Sequence, residues 1–150
     1  MRAVIQRVTK AQVEVDEKVI AQMQKGLLVL LGIENEDSTE DIEWLASKII
    51  NLRIFDDADG VMNLSMKDIE GEIIVVSQFT LHASTKKGNR PSYIKAARPE
   101  VAIPLYQKFI EEMDFLSEKK IQTGQFGAHM LLDFVNDGPV TIIIDSKIKE

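Results

Sequence analysis

Cysteine is absent from the 150-residue chain, which removes disulfides, thiolate metal sites and cysteine nucleophiles together. Histidine is scarce: His82 and His129 are the whole complement, neither has a second histidine or a cysteine at ligand spacing, and no zinc or other metal site is expected. A glycine-rich phosphate loop and a Gly-x-Ser-x-Gly elbow are both missing. The apolar run Leu27–Ile33 falls far short of the ~18 residues a membrane span requires. The start, Met1-Arg2-Ala3-Val4, enters alternating structure directly rather than a basic-then-apolar leader, so a cytoplasmic protein is expected. Hydrophobic residues at 45% and charged residues at 28% describe an ordinary globular protein, and the length suits one domain spanning residues 1–150.

A net charge of −6 argues against broad attraction to nucleic acid. Acidic residues are nevertheless missing from Ala83 to Pro99, where Lys86, Lys87, Arg90, Lys95 and Arg98 all fall. A basic island in an acidic chain holds phosphates locally without making the whole surface adhesive; a solvated loop leading into a helix accounts for the same charges.

The first third reads as a meander of strands over Arg2–Val8, Ala11–Asp16 and Lys18–Met23, and Leu27–Ile33 as a strand buried on both faces. Asp37 or Ser38 caps a helix whose apolar residues Ile42, Leu45, Ala46, Ile49 and Ile50 follow helical spacing. Asp56-Asp57-Ala58-Asp59-Gly60 is a turn; it lacks the later glutamate of a calcium loop. Glu72–Gln78 is a second core strand. A second helix opens near Pro99 or Pro104, with Val101, Leu105, Phe109 and Met113 as its buried stripe. Strands over Lys120–Thr123, Met130–Val135 and Val140–Asp145 finish the chain, with Asn136-Asp137-Gly138-Pro139 as turn chemistry before the last. The fold class is α+β: an antiparallel-rich, barrel-like sheet packed with two main helices.

Ser77-Gln78-Phe79-Thr80-Leu81 continues directly from the core strand, and strand ends are where rigid scaffolds present reactive groups. This "SQFTL", with "KKGNRPSY" at Lys86–Tyr93, "TGQFGAHM" at Thr123–Met130, "NDGPVT" at Asn136–Thr141 and the opening "MRAVIQRV", resembles the D-aminoacyl-tRNA deacylase family over essentially the full chain. The resemblance implies hydrolysis of the ester joining a D-amino acid, or glycine, to the terminal adenosine of tRNA. It also implies a homodimer with active sites at the interface, no cofactor and no membrane association. Ser77, Gln78, Phe79 and Thr80 match the family's catalytic motif. Gly138 and Pro139 match its cis Gly-Pro element, which enters the partner's pocket and excludes L-amino acids, and Arg7 matches the arginine that braces that element. Thr80 stands where a nucleophile could, but the sequence supplies no base to activate it; backbone N–H groups around Phe79 and Thr80 would then polarise the ester carbonyl. Phe126 and Met130 are expected in the adenosine pocket, and Lys86, Lys87 and Arg90 against tRNA phosphates. The alternative is a non-catalytic nucleic-acid-binding protein of the same fold.

Overall fold

The computed structural model describes all 150 residues. The chain runs β1 (Arg2–Val15), β2 (Lys18–Met23), β3 (Gly26–Gly32), α1 (Thr39–Asn51), β4 (Phe55–Asp56), β5 (Met62–Leu64), β6 (Glu72–Ser77), a 3-10 turn (Phe79–His82), α2 (Pro99–Ser117), β7 (Gln122–Thr123) and β8 (Leu131–Asp145). The main sheet has the order β2-β1-β3-β6-β7, and β8 pairs along the length of β1. Pairs of β1 with β2, β3 and β8 are antiparallel, whereas β3–β6 and β6–β7 are parallel. Each parallel pair needs a long crossover, and these two connections contain α1 and α2. The helices therefore lie together against the sheet. The Gln122 side chain nearly closes the barrel: its amide accepts the Gln22 N–H at 2.9 Å and donates to the Gln22 carbonyl at 2.7 Å. An α+β architecture follows.

The first two sequence strands are one 14-residue strand, bent where Thr9 has no partner on β8. That extra residue reverses the faces: Ala3 and Ile5 join the core under the helices, while Ala11 and Val13 line a smaller core inside the sheet. On β3, Leu27, Val29 and Leu31 face the helices and Leu28 the smaller core, which is why the run is apolar throughout. Ser38 caps α1, its N–H donating at 2.8 Å to the Asp41 carboxylate. Asp41 also accepts from Ser146 (2.6 Å) and Lys147 (2.8 Å), while the Met1 ammonium donates to Asp37 and Ser146. Burial alone would raise the Asp41 carboxyl, but the bonds from Lys147, Ser146 and Ser38 outweigh it and hold its pKa well below the usual carboxylate range.

Two further expectations, the buried stripe of the second helix and the last two strands, need correction. In α2 the buried residues are Ala102, Tyr106, Phe109 and Met113; Val101 is exposed and Leu105 only half-buried. A strict i+4 series drifts about 40° per step around the helix, so Val101 and Met113 cannot share a face; steps of four, three and four can. The helix opens at Pro99, and Pro104 sits inside it on the exposed side, where water can serve the carbonyl freed by its missing N–H. Finally, Met130–Val135 and Val140–Asp145 are not two strands flanking a turn. They form the continuous β8, and Asp137–Val140 bulges out opposite Arg7 between the Val8–Asn136 and Gln6–Thr141 pairs.

Candidate active site

The chain of β6 ends at Ser77 and turns at once into the 3-10 turn. The Gln78 N–H bonds to the Leu31 carbonyl at 2.7 Å, carrying the β3–β6 pairing one residue further. Below the turn, the Arg2 guanidinium donates to the Leu81 carbonyl at 2.8 Å while paired with Asp145, also at 2.8 Å. Gly32 packs against it so closely that a side chain there would meet Leu81 and His82 at 3.0 Å. The turn is thus held by β3, by β1 and, through Asp145, by the end of β8.

Beside the turn lies a cavity of about 290 Å3. Ser77, Gln78, Phe79, Phe126 and Met130, drawn from two stretches far apart in the sequence, all line it, with Leu31, Ile33, Val76, Ala97, Ala102 and Leu132 as apolar walls and His129 at the rim. Larger concavities exist, but that around Lys67 and Lys119 lies by the other end of β6, at Glu72 and Ile73, and gathers none of the chemistry-bearing motif. Thr80 does not line the cavity. Its hydroxyl oxygen accepts a 2.6 Å hydrogen bond from the Gln78 amide, and no basic side chain is bonded to it. Phe126 is supported edge-on by Tyr106, centroids 5.8 Å apart. The Tyr106 hydroxyl donates to the Val75 carbonyl at 2.9 Å, and burial pushes that phenol well above its ordinary pKa. No cluster of three His, Cys, Asp or Glu side chains could hold a metal.

Gly138 and Pro139 are exposed on the β8 bulge and do not line this chain's cavity; their peptide bond is cis. Gly138 has φ +129°, a region closed to residues with a side chain. Arg7, 6% exposed, donates Nε to the Asp137 carbonyl at 3.1 Å and Nη1 to the Ile54 carbonyl at 2.7 Å, with the Asp56 carboxylate at 3.2 Å. Its fork fastens the bulge to the loop entering β4. Lys86, Lys87 and Arg90 stand exposed in a loop closed by reciprocal Ser84–Ser92 backbone bonds of 2.8 and 2.9 Å. Sequence reasoning passed over Tyr93, whose ring meets Phe79 edge-on at 5.0 Å; its place within "KKGNRPSY" was the available signal.

The family model described as D-Tyr-tRNA(Tyr) deacylase matches residues 4–145. The chain belongs to the D-aminoacyl-tRNA deacylase family. A deacylase of Flavobacterium psychrophilum is 67% identical over 150 residues, covering all of both chains, and that of Christiangramia forsetii is 66% identical over 99% of each. Among solved structures, a c-Myc DNA unwinding element binding protein superposes with TM-score 0.91 at 42% identity, covering 97% of this chain and 98% of its own. A probable eukaryotic D-amino acid tRNA deacylase shares the fold, with TM-score 0.82 at 17% identity. The deacylase is thus a hydrolase acting on aminoacyl-tRNA, and its cavity joins residues of "SQFTL" and "TGQFGAHM".

Proposed function

We propose that this deacylase, a single domain over residues 1–150 working in the cytoplasm, hydrolyses D-aminoacyl-tRNA and glycyl-tRNA as a homodimer. The observation that carries the reading is spatial. Ser77, Gln78, Phe79, Phe126 and Met130 converge on one cavity, while Gly138 and Pro139 stand exposed outside it on a long outer strand. A Gly138-Pro139 element that acts at a cavity therefore acts at that of a second copy. The exposed apolar residues Leu131, Val135 and Ile143 of β8 supply the surface for such a copy.

Terminal adenine stacks on Phe126 beside Met130, and the ester carbonyl lies by the start of the 3-10 turn. The N–H groups of Phe79 and Thr80 open that turn, where the turn itself offers them no acceptor, and they receive the developing oxyanion. Water adds its oxygen to the carbonyl carbon; the bond to the ribose oxygen then breaks, and the ribose takes the proton. Thr80 positions Gln78 through their shared hydrogen bond rather than attacking. Carbonyls of the partner's Gly138–Pro139 segment wall off the side on which an L-amino acid projects from Cα, so rejection works by clash and ignores side-chain identity. Glycine projects nothing and is cleaved. Lys86, Lys87 and Arg90 hold backbone phosphates, with affinity that falls as salt rises.

The likeness to a DNA unwinding element binding protein favours a second reading, in which the basic loop binds nucleic acid without catalysis. One tRNA charged in turn with D-tyrosine, L-tyrosine and glycine decides between them. Release of D-tyrosine and glycine with L-tyrosine retained supports the proposal. Binding without release supports the alternative, and equal release of both enantiomers removes chiral selection.

A further inference from the structure

Phe79 takes part in two surfaces at once. One part of its ring lines the cavity; the ring also meets Tyr93 edge-on, 5.0 Å between centroids at an interplanar angle of 73°. Tyr93 itself lies outside the cavity, 39% exposed, and Phe79 is 55% exposed. In the single chain this adjoining pair of aromatic rings stands open to water, where a flat base can lie against it. Backbone bonds fasten the loop on both sides of Tyr93. Ser84 and Ser92 exchange backbone bonds on one side of Tyr93. On the other, the Ala96 N–H bonds to the Tyr93 carbonyl at 3.0 Å and the Ala97 N–H to the Ile33 carbonyl at 2.9 Å. Tyr93 is thereby held between two fastened points.

Its own segment carries charge of one sign. Lys86, Lys87, Arg90, Lys95 and Arg98 flank Tyr93 in a segment without acidic residues, and none of them forms an ion pair. Open aromatic faces among unpaired cations, continuous with a nucleoside-sized cavity, are the chemistry that holds single-stranded nucleic acid: bases stack and phosphates meet cations.

We propose that Tyr93, with Phe79, forms a stacking platform for the nucleotide preceding the terminal adenosine, so that the enzyme grips the unpaired 3′ end over two nucleotides. The inference rests on the adenosine site argued above and adds a second subsite to it. The platform reads a π-face rather than base edges, and it serves any tRNA whatever its amino acid. Tyr93 touches substrate remote from the ester; its contribution is to binding.

Two substrates separate the subsite from a structural role: D-tyrosyl-tRNA, and D-tyrosyl-adenosine, which lacks the preceding nucleotide. Tyr93→Leu raises KM for the tRNA about ten- to hundredfold, the loss of one base–aromatic stack, with kcat unchanged and D-tyrosyl-adenosine hydrolysed as by the parent. Tyr93→Phe keeps the ring and behaves as the parent on both. A tRNA with an abasic penultimate position suffers the same rise on the parent enzyme and no further rise on Tyr93→Leu. Equal losses on both substrates overturn the inference, since Tyr93 then only supports Phe79; so does an unchanged KM for the tRNA. A changed oligomeric state of Tyr93→Leu in sedimentation overturns it in favour of contact with a second copy. Failure of the parent to cleave either substrate instead removes the reading on which the inference rests.

Discussion

Replacing Arg7 with lysine tests whether the fork that holds the β8 bulge also governs selection. Arg7 is 6% exposed and serves the Ile54 carbonyl at 2.7 Å and the Asp137 carbonyl at 3.1 Å from different nitrogens. An ammonium is a single point of charge and cannot keep that fork. One charged hydrogen bond is lost, at about 1.5–3 kcal/mol, and one carbonyl goes unserved in a nearly dry place. With a urea dependence of about 1–3 kcal/mol per molar, the unfolding midpoint should fall by about 1 M. If the bulge is the wall, its loosening by about 1.4 kcal/mol cuts the ratio of D- to L-tyrosyl-tRNA hydrolysis about tenfold. Urea titration followed by tryptophan fluorescence, and parallel deacylation of both substrates, measure the two effects. An unchanged midpoint refutes the reading of Arg7 as a brace. A lowered midpoint with an intact D-to-L ratio refutes its link to selection.

Thr80→Val removes the hydroxyl that receives the Gln78 amide at 2.6 Å, and kcat should fall about two- to tenfold, the worth of one neutral hydrogen bond; a loss beyond about a thousandfold at unchanged KM would make Thr80 the nucleophile. Tyr106→Phe should cost about 0.5–1.5 kcal/mol in urea unfolding, near the low end, because the Val75 carbonyl keeps the Gly124 N–H at 3.1 Å. The depressed Asp41 carboxyl contributes stability that is fully present above the ordinary carboxylate pKa of about 4 and is lost as pH falls through its lower folded-state value. Stability measured from pH 6 down to pH 3 should therefore fall less steeply in Asp41→Asn than in the parent, and an identical slope contradicts the assignment.

Much of this arrangement is legible in single residues. Apolar spacing from Ile42 to Ile50 sets the face of α1, and the unbroken Leu27–Leu31 run declares a strand buried on both sides. Asn136-Asp137-Gly138-Pro139 misleads because its composition is that of a turn. Local chemistry cannot register that Arg7, more than a hundred residues away, holds the segment as a bulge within a strand. Val101 misleads for a different reason: the eye accepts an i+4 series that the helix, at 3.6 residues per turn, rotates out of the core. Motifs located Ser77–Phe79 and Phe126, but their meeting in one cavity depends on the β3–β6 pairing and on Tyr106, neither of which a motif contains.

The central claim is that the cavity of one protomer is closed by Gly138 and Pro139 of another, and mixed dimers test it most directly. One subunit carries Phe79→Ala and Gln78→Ala, which disable its cavity; the other carries Gly138→Ser and Pro139→Ala, which spoil its wall. In the mixed dimer the only working cavity faces the intact wall of its neighbour, so D-tyrosyl-tRNA should be cleaved and L-tyrosyl-tRNA spared. Cleavage of both substrates at comparable rates would place the wall and the cavity within one chain and contradict the account.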